Sequence, residues 1–152
     1  MKSQIFEISP DNLTFEIIQD ILENEVKLRL SEKSERLILK SKQFLDEKLA
    51  ESKKPLYGIN TGFGALCDIE ISKNDLSKLQ ENLVISHACN VGPEVPSDVV
   101  KLMLLLKIHA LSKGNSAVQL ITVQRIIDLF NNNILPVVCE QGSLGASGDL
   151  AP

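Results

Sequence analysis

The tract Gly142-Ser143-Leu144-Gly145-Ala146-Ser147-Gly148-Asp149-Leu150-Ala151-Pro152 holds three of the eight glycines of this 152-residue chain. Familiar glycine chemistries do not fit it. A Walker loop ends in Gly-Lys-Ser/Thr, and neither this tract nor the earlier one, Tyr57-Gly58-Ile59-Asn60-Thr61-Gly62-Phe63-Gly64, has that ending. The dinucleotide fingerprint GxGxxG fails on spacing, and a hydrolase elbow needs GxSxG where the chain has Gly145-Ala146-Ser147-Gly148. A different chemistry fits Ala146-Ser147-Gly148. On a sharply bent backbone the Gly148 amide nitrogen can attack the Ala146 carbonyl carbon. Glycine suits the attacking end because it lacks a Cβ and tolerates unusual φ/ψ. Loss of one water closes a five-membered ring, and loss of a second, from Ser147, leaves an exocyclic methylene. The product is a carbon electrophile made from the chain itself, a capacity that side chains lack and enzymes usually take from a cofactor.

Helical periodicity dominates the elements that must position these residues. Asp11 or Asn12 is expected to cap a first helix with Phe15, Ile18, Ile21 and Leu22 as its apolar stripe. Val26, Leu28 and Leu30 alternate with charged residues and read as a short extended piece. A second helix after Ser31 carries Leu37, Ile38, Phe44, Leu45 and Leu49, and Pro55 closes the segment. The tract 57–64 cannot be a regular helix, because its glycines demand positive φ or a close backbone approach. Ser72 and Asp75 read as a capping box for a third helix. Its Leu76, Leu79 and Leu83 share a face with Ser86 and His87, and Asn90 to Pro96 breaks it. Ser97 or Asp98 caps a fourth helix ended by Gly114. Ser116 starts a fifth, with Leu120, Val123, Ile127 and Phe130 in register, and Asn131-Asn132-Asn133 ends it. The expected fold is mainly α, with short extended pieces and glycine-rich loops. The fourth helix is apolar nearly all round, more than a monomer of this size can cover. The chain also stops directly after the glycine tract. Residues 1–152 are therefore expected to form the N-terminal active-site region of a larger protein.

The tract 142–152 resembles the signature of the histidine and aromatic amino-acid ammonia-lyases, in which Ala-Ser-Gly becomes 4-methylidene-imidazol-5-one. Tyr57–Gly64 resembles the glycine loop of that family, and Leu79-Gln80-Glu81-Asn82-Leu83-Val84-Ile85-Ser86-His87 its third block. Three blocks in the right order make the match specific over roughly residues 55–152. The resemblance implies a mainly α-helical tetramer whose sites draw on several subunits. It implies the elimination of ammonia from an α-amino acid, with the group built from Ala146, Ser147 and Gly148 acting either at the amino group or on the aromatic ring. No external cofactor is implied. By the same match Tyr57 is the base for the β-proton. A phenol ordinarily ionises near pH ~10, so such a site must favour phenolate. Asp149 resembles the residue that assists ring formation, and it equally suits the N-cap of a following helix. The Ser86-His87 pair resembles the histidine-specific members, with His87 hydrogen-bonding a substrate imidazole. Histidine as substrate and urocanate as product, in histidine breakdown, are thus implied. The incomplete chain alone is expected to be inactive. Gln119 where the family usually has Arg, and Asn90 where Gly is frequent, depart from the pattern and weaken a strict histidine preference.

Composition narrows the alternatives. With 16 Lys and Arg against 20 Asp and Glu, the chain lacks the basic footprint of a nucleic-acid binder or an anionic-membrane ligand. Its longest apolar run is far short of a membrane span, and the N-terminus carries no secretory signal. Cys67, Cys89 and Cys139 are odd in number and lack CxxC spacing, so a zinc site is not expected. They read as reduced, partly buried thiols in a cytoplasmic protein, and His109 reads as core packing. A phenylalanine or tyrosine ammonia-lyase or aminomutase is the nearest rival. A non-catalytic helical assembly module, with its glycine tract a plain turn, is the rival from another class.

Overall fold

The computed structural model describes residues 4–51, 55–62, 64–72 and 74–142. Its elements in chain order are β1 (Ile5–Ile8), α1 (Phe15–Glu23), β2 (Lys27–Leu30), α2 (Glu32–Glu51), α3 (Leu76–His87), β3 (Val91–Glu94), α4 (Ser97–Ser112), α5 (Leu120–Asn131) and β4 (Cys139–Gln141). Helices dominate, as the periodicity leads one to expect. The chain divides into two compact units, one made of Met1–Lys48 with Val95–Val137, the other of Leu49–Glu94 with Val138–Pro152.

The first unit holds the apolar core. β1 and β2 pair in parallel, Ile5 opposite Lys27 and Ile8 opposite Leu30, with α1 as the crossover. Alternation along β2 buries Leu28 and Leu30 and exposes Lys27 and Arg29, the period-2 consequence of a strand covered on one face. Against that face pack Ile21 of α1, Ile38 of α2, Leu105 and Ile108 of α4, and Val123 and Ile127 of α5. β1 is absent from the sequence reading because four residues before a loop carry too little pattern. Their partner strand supplies the other half of the hydrogen bonds.

Several boundaries differ from expectation, each for a local reason. Thr14, not Asp11 or Asn12, caps α1: its Oγ1 accepts the Ile17 amide at 3.4 Å. Phe15 is then the first helical residue and is 87% exposed, outside the stripe of Ile17, Ile18, Ile21 and Leu22. Phe44 on α2 is likewise exposed. Ser97 is already helical, behind Pro96, and carries no side-chain cap. α5 begins at Leu120 rather than Ser116, since Ala117 sits at φ 50° and cannot continue a helix. Gly114 ends α4 at φ 70°, as expected. α4 buries Val100, Leu105, Ile108 and Leu111 and leaves Val99, Met103 and Leu106 exposed, the surplus apolar surface its sequence implies.

Two polar ties join distant parts of this unit. The Asn131 side chain docks on the backbone of β2, its Oδ1 accepting the Leu28 amide at 2.7 Å and its Nδ2 donating to the Leu28 carbonyl at 2.9 Å. One side-chain amide thus stands in for a neighbouring strand. His109 is not simply packed. It is half-buried, and its Nε2 donates to the Asp11 carbonyl at 2.8 Å, while the Ser112 hydroxyl donates to the His109 carbonyl at 2.7 Å. The Asp11 carboxylate takes a hydrogen bond from Ser9 at 2.9 Å and pairs with Lys33 at 3.1 Å. The Ser9 hydrogen bond and then Lys33 hold it below the usual carboxylate range.

Asn131→Ala removes both partners of Leu28 and should cost about 1–3 kcal/mol in urea unfolding. Asn132→Ala, one position along, loses only an exposed bond to the Asp128 carbonyl at 2.8 Å and should cost less. The lowered Asp11 ionisation makes its contribution present above the unfolded value and lost as pH falls through the folded one. The gap in melting temperature between the unaltered chain and Asp11→Asn should therefore be widest near neutrality. It should close as pH drops below about 4, read by circular dichroism.

Candidate active site

The second unit holds Tyr57 and His87, which the sequence singles out, and very little apolar core. Among its described residues only Thr61, Gly62 and Val138 are buried. Polar backbone contacts organise it instead. At Tyr57 the chain turns, with the Ile59 and Asn60 amides donating to the Leu56 carbonyl at 3.0 and 3.2 Å. Asn60 Oδ1 accepts the Leu56 amide at 2.6 Å, and the Asn60 carbonyl accepts the Ile71 amide at 2.8 Å. Thr61, fully buried, accepts the Gly58 amide at 3.1 Å on its hydroxyl and donates that hydroxyl to the Gly62 carbonyl at 2.9 Å. An isolated antiparallel bridge joins Thr61 to Glu70.

Gly62 shows why the loop needs glycine. A Cβ there would lie 2.5 Å from Leu66 Cβ and 2.8 Å from the Leu66 carbonyl oxygen. Leu66 belongs to a short 3-10 turn, Gly64–Leu66, so backbone would have to move. Closure brings the Gly64 amide to 3.4 Å from Tyr57 Oη, donating to it. The Tyr57 side chain is 63% exposed. Tyr57 and the glycines stand out by residue type, whereas Asn60 and Thr61 carry a quieter signal: Asn and Thr inside a glycine loop are the residues whose side chains bond neighbouring backbone.

α3 carries His87 as its last residue. Ser72 and Asp75 do not form the expected capping box. Ser72 instead donates to the Asp75 carboxylate at 2.7 Å, and Asp75 is the cap position without a side-chain cap bond. The stripe of Leu76, Leu79, Leu83 and His87 is half-buried, as the spacing implies, while Ser86 is exposed. His87 Nδ1 lies 2.8 Å from the Leu83 carbonyl and 3.0 Å from Ser86 Oγ. A carbonyl can only accept, so Nδ1 carries a proton, and in the neutral ring Nε2 then offers its lone pair. The Ser86 hydroxyl also donates to the Leu83 carbonyl, at 2.9 Å.

β3 and β4 pair antiparallel, Val91 opposite Gln141 and Glu94 opposite Cys139. Both strands replace irregular stretches of the sequence reading. β4 leads toward Ala146, Ser147, Gly148 and Asp149, which lie outside the described residues. Cys67 and Cys139 are half-buried free thiols, as expected, whereas Cys89 is exposed. No cluster able to hold a metal occurs among the described residues, and no described helix is long and apolar enough to cross a membrane.

A helical chain in which a glycine loop presents a tyrosine and a helix end presents a histidine defines a class that comparison with known proteins identifies. The profile of the aromatic amino acid lyases matches residues 13–152, and the chain belongs to that family. It is 45% identical over 145 residues to a histidine ammonia-lyase of Caldanaerobacter subterraneus subsp. tengcongensis, covering 95% of this chain and 28% of that protein. A histidine ammonia-lyase of Legionella pneumophila (strain Philadelphia 1) is 46% identical over 150 residues, 99% of this chain and 29% of the relative. The crystal structure of ergothionase, an ergothioneine-degrading enzyme from Treponema denticola, superposes with a TM-score of 0.86 at 26% identity, over 93% of this chain and 28% of that one. The chain thus spans under a third of the length of these relatives.

Because Gly62 is bound by backbone contact, Gly62→Ala should open the loop. Hydrogen–deuterium exchange of a peptide spanning 57–71 should speed up about tenfold or more. Gly64→Ala, which meets no atom but keeps a φ of 56°, should accelerate the same peptide less.

Proposed function

We propose that this chain is the N-terminal part of a histidine ammonia-lyase, which removes ammonia from L-histidine without oxidation and releases urocanate. The observation that carries the reading is the make-up of the second unit. It gathers the Tyr57 loop, the end of α3 with His87, and the strand leading to Ala146-Ser147-Gly148, though these lie far apart in sequence. The match to the aromatic amino acid lyases runs through the same residues.

When formed from Ala146, Ser147 and Gly148, the methylidene-imidazolone supplies the electrophile that helps the amino group to leave. Asp149 assists its formation by accepting a proton or orienting the turn. The rest of the chemistry falls to side chains. Tyr57 Oη takes the β-proton of the substrate, and the Gly64 amide is a donor already aimed at the oxygen that then carries the charge. His87 holds the substrate ring. With its proton on Nδ1 engaged by the Leu83 carbonyl, Nε2 accepts the N–H of a neutral substrate imidazole. A phenyl ring offers no such donor, which is why His87 favours histidine over phenylalanine. Identities of 45% and 46% to histidine ammonia-lyases support the same substrate. The remaining site residues come from beyond residue 152 and from other subunits of a cytoplasmic homotetramer, so residues 1–152 alone are inactive.

Intact mass and assay of the complete polypeptide test this. It should be two waters lighter than its translation and should form urocanate. Tyr57→Phe should keep the mass deficit and lose about 100-fold or more in kcat. Ser147→Ala should lose the methylidene and the activity together. Turnover of tyrosine or phenylalanine without histidine would end the histidine reading. An unshortened mass would favour the assembly-module reading.

A further inference from the structure

A cleft of about 420 Å3, its open mouth included, lies wholly within the first unit, where α1 gives way to β2 beside the end of α5 and Lys101 of α4. Both helices stop there in the same way. The Val26 amide donates to the Ile21 carbonyl at 3.1 Å, and the Ile134 amide to the Leu129 carbonyl at 2.9 Å. This closure needs a left-handed residue just past the helix, a place glycine usually fills. Here Glu25, at φ 50°, and Asn133, at φ 53°, fill it, and both line the cleft. Asparagine tolerates the left-handed region, whereas glutamate is strained in it. A carboxylate is thus kept where glycine would sit more easily, and such strain collects where a side chain is used.

Three charged residues line the cleft: Glu25, Lys27 and Lys101. None of them forms an ion pair among the described residues, unlike Arg29, which pairs with Glu7 two positions along β2. Lys101 Nζ instead sits 5.6 Å from the centre of the Phe130 ring. The carbonyl ends of α1 and α5 add partial negative charge. A bare anion would meet Glu25 and these helix ends, and a bare cation would meet two lysines. A molecule with two carboxylates and one ammonium answers all three side chains. We propose that this cleft binds a small acidic α-amino acid, its carboxylates facing Lys27 and Lys101 and its ammonium facing Glu25 and the helix ends. Asn131 lines the same cleft while it holds the Leu28 backbone, so occupancy braces the joint between α5 and β2. The inference goes beyond the ammonia-lyase reading and does not depend on it.

The test is hydrogen–deuterium exchange on the complete polypeptide, titrated with L-glutamate, glutarate, L-glutamine and inorganic phosphate up to about 10 mM. Peptides spanning 24–31 and 126–135 report on the cleft. Saturating L-glutamate should slow exchange at the Leu28 amide, which Asn131 holds, about 3-fold or more. Glutarate lacks the ammonium and L-glutamine lacks one carboxylate, so both should protect less. Lys27→Gln and Lys101→Gln should each raise the half-saturating L-glutamate concentration about 2- to 5-fold, the worth of one exposed ion pair. Glu25→Gln should weaken L-glutamate and leave glutarate no worse. Lys27→Gln keeps the test decisive where loss of Lys101 loosens Phe130. Exchange unchanged by L-glutamate overturns the inference, and so does an unchanged half-saturation in both lysine variants. Equal protection by phosphate or glutarate, indifferent to Glu25→Gln, overturns it too, as the mark of an adventitious ion only.

Discussion

At Gly62 the chain passes so near Leu66 that a single added carbon would overlap both its side chain and its carbonyl. The loop around Tyr57 closes only because that position is bare. From this contact follow the Gly62 amide bonding Ile69 at 3.2 Å, the Thr61–Glu70 bridge, and the placement of the Gly64 amide at Tyr57 Oη. Thr61 completes the closure, since its one hydroxyl both accepts and donates within the loop. Glycine here does more than permit a turn. It lets two backbone segments approach to a distance at which peptide groups, rather than side chains, hold an exposed tyrosine in place.

The two units are stabilised by different physics. The first buries Ile8, Ile21, Ile38, Leu105, Ile108 and Val123 completely or nearly so, enough apolar surface to drive its own collapse. The second has no comparable cluster among its described residues and leaves Val84, at 69% exposure, and Ile85 open on α3. Hydrogen bonds contribute little net stability each and mainly specify geometry. The unit that carries Tyr57 and His87 is thus precise in local shape and poor in intrinsic cohesion. The curated relatives that the chain matches are more than three times its length.

Much of this was legible in residue order. Helices α2 to α5 follow from 3.6-residue spacing, β2 from the alternation of Val26, Leu28 and Leu30, and the irregular path of 57–64 from its glycines. What stayed hidden has a common cause. β1, β3 and β4 exist through partners far along the chain, and a strand of three or four residues carries no periodic signal of its own. The cap at Thr14 and the late start of α5 turn on single side-chain bonds or one positive φ at Ala117, which neighbouring candidates obscure. Tyr57 and His87 stand out in the sequence by resemblance to the family's blocks. The backbone bonds of Asn60 and Thr61 do not, because only the folded path brings their partners near.

The order in which the units are spelled out along the chain has its own consequence. The β1–α1–β2–α2 half of the core is made first, and α4 and α5, which cover it, come only after the whole stretch 49–94. During synthesis the early half leaves the ribosome with Leu28 and Ile38 still wet. The Leu28 backbone cannot meet Asn131 until translation has gone some hundred residues further. A nascent chain of this design has a long interval of exposed apolar surface, which closes only when α5 emerges.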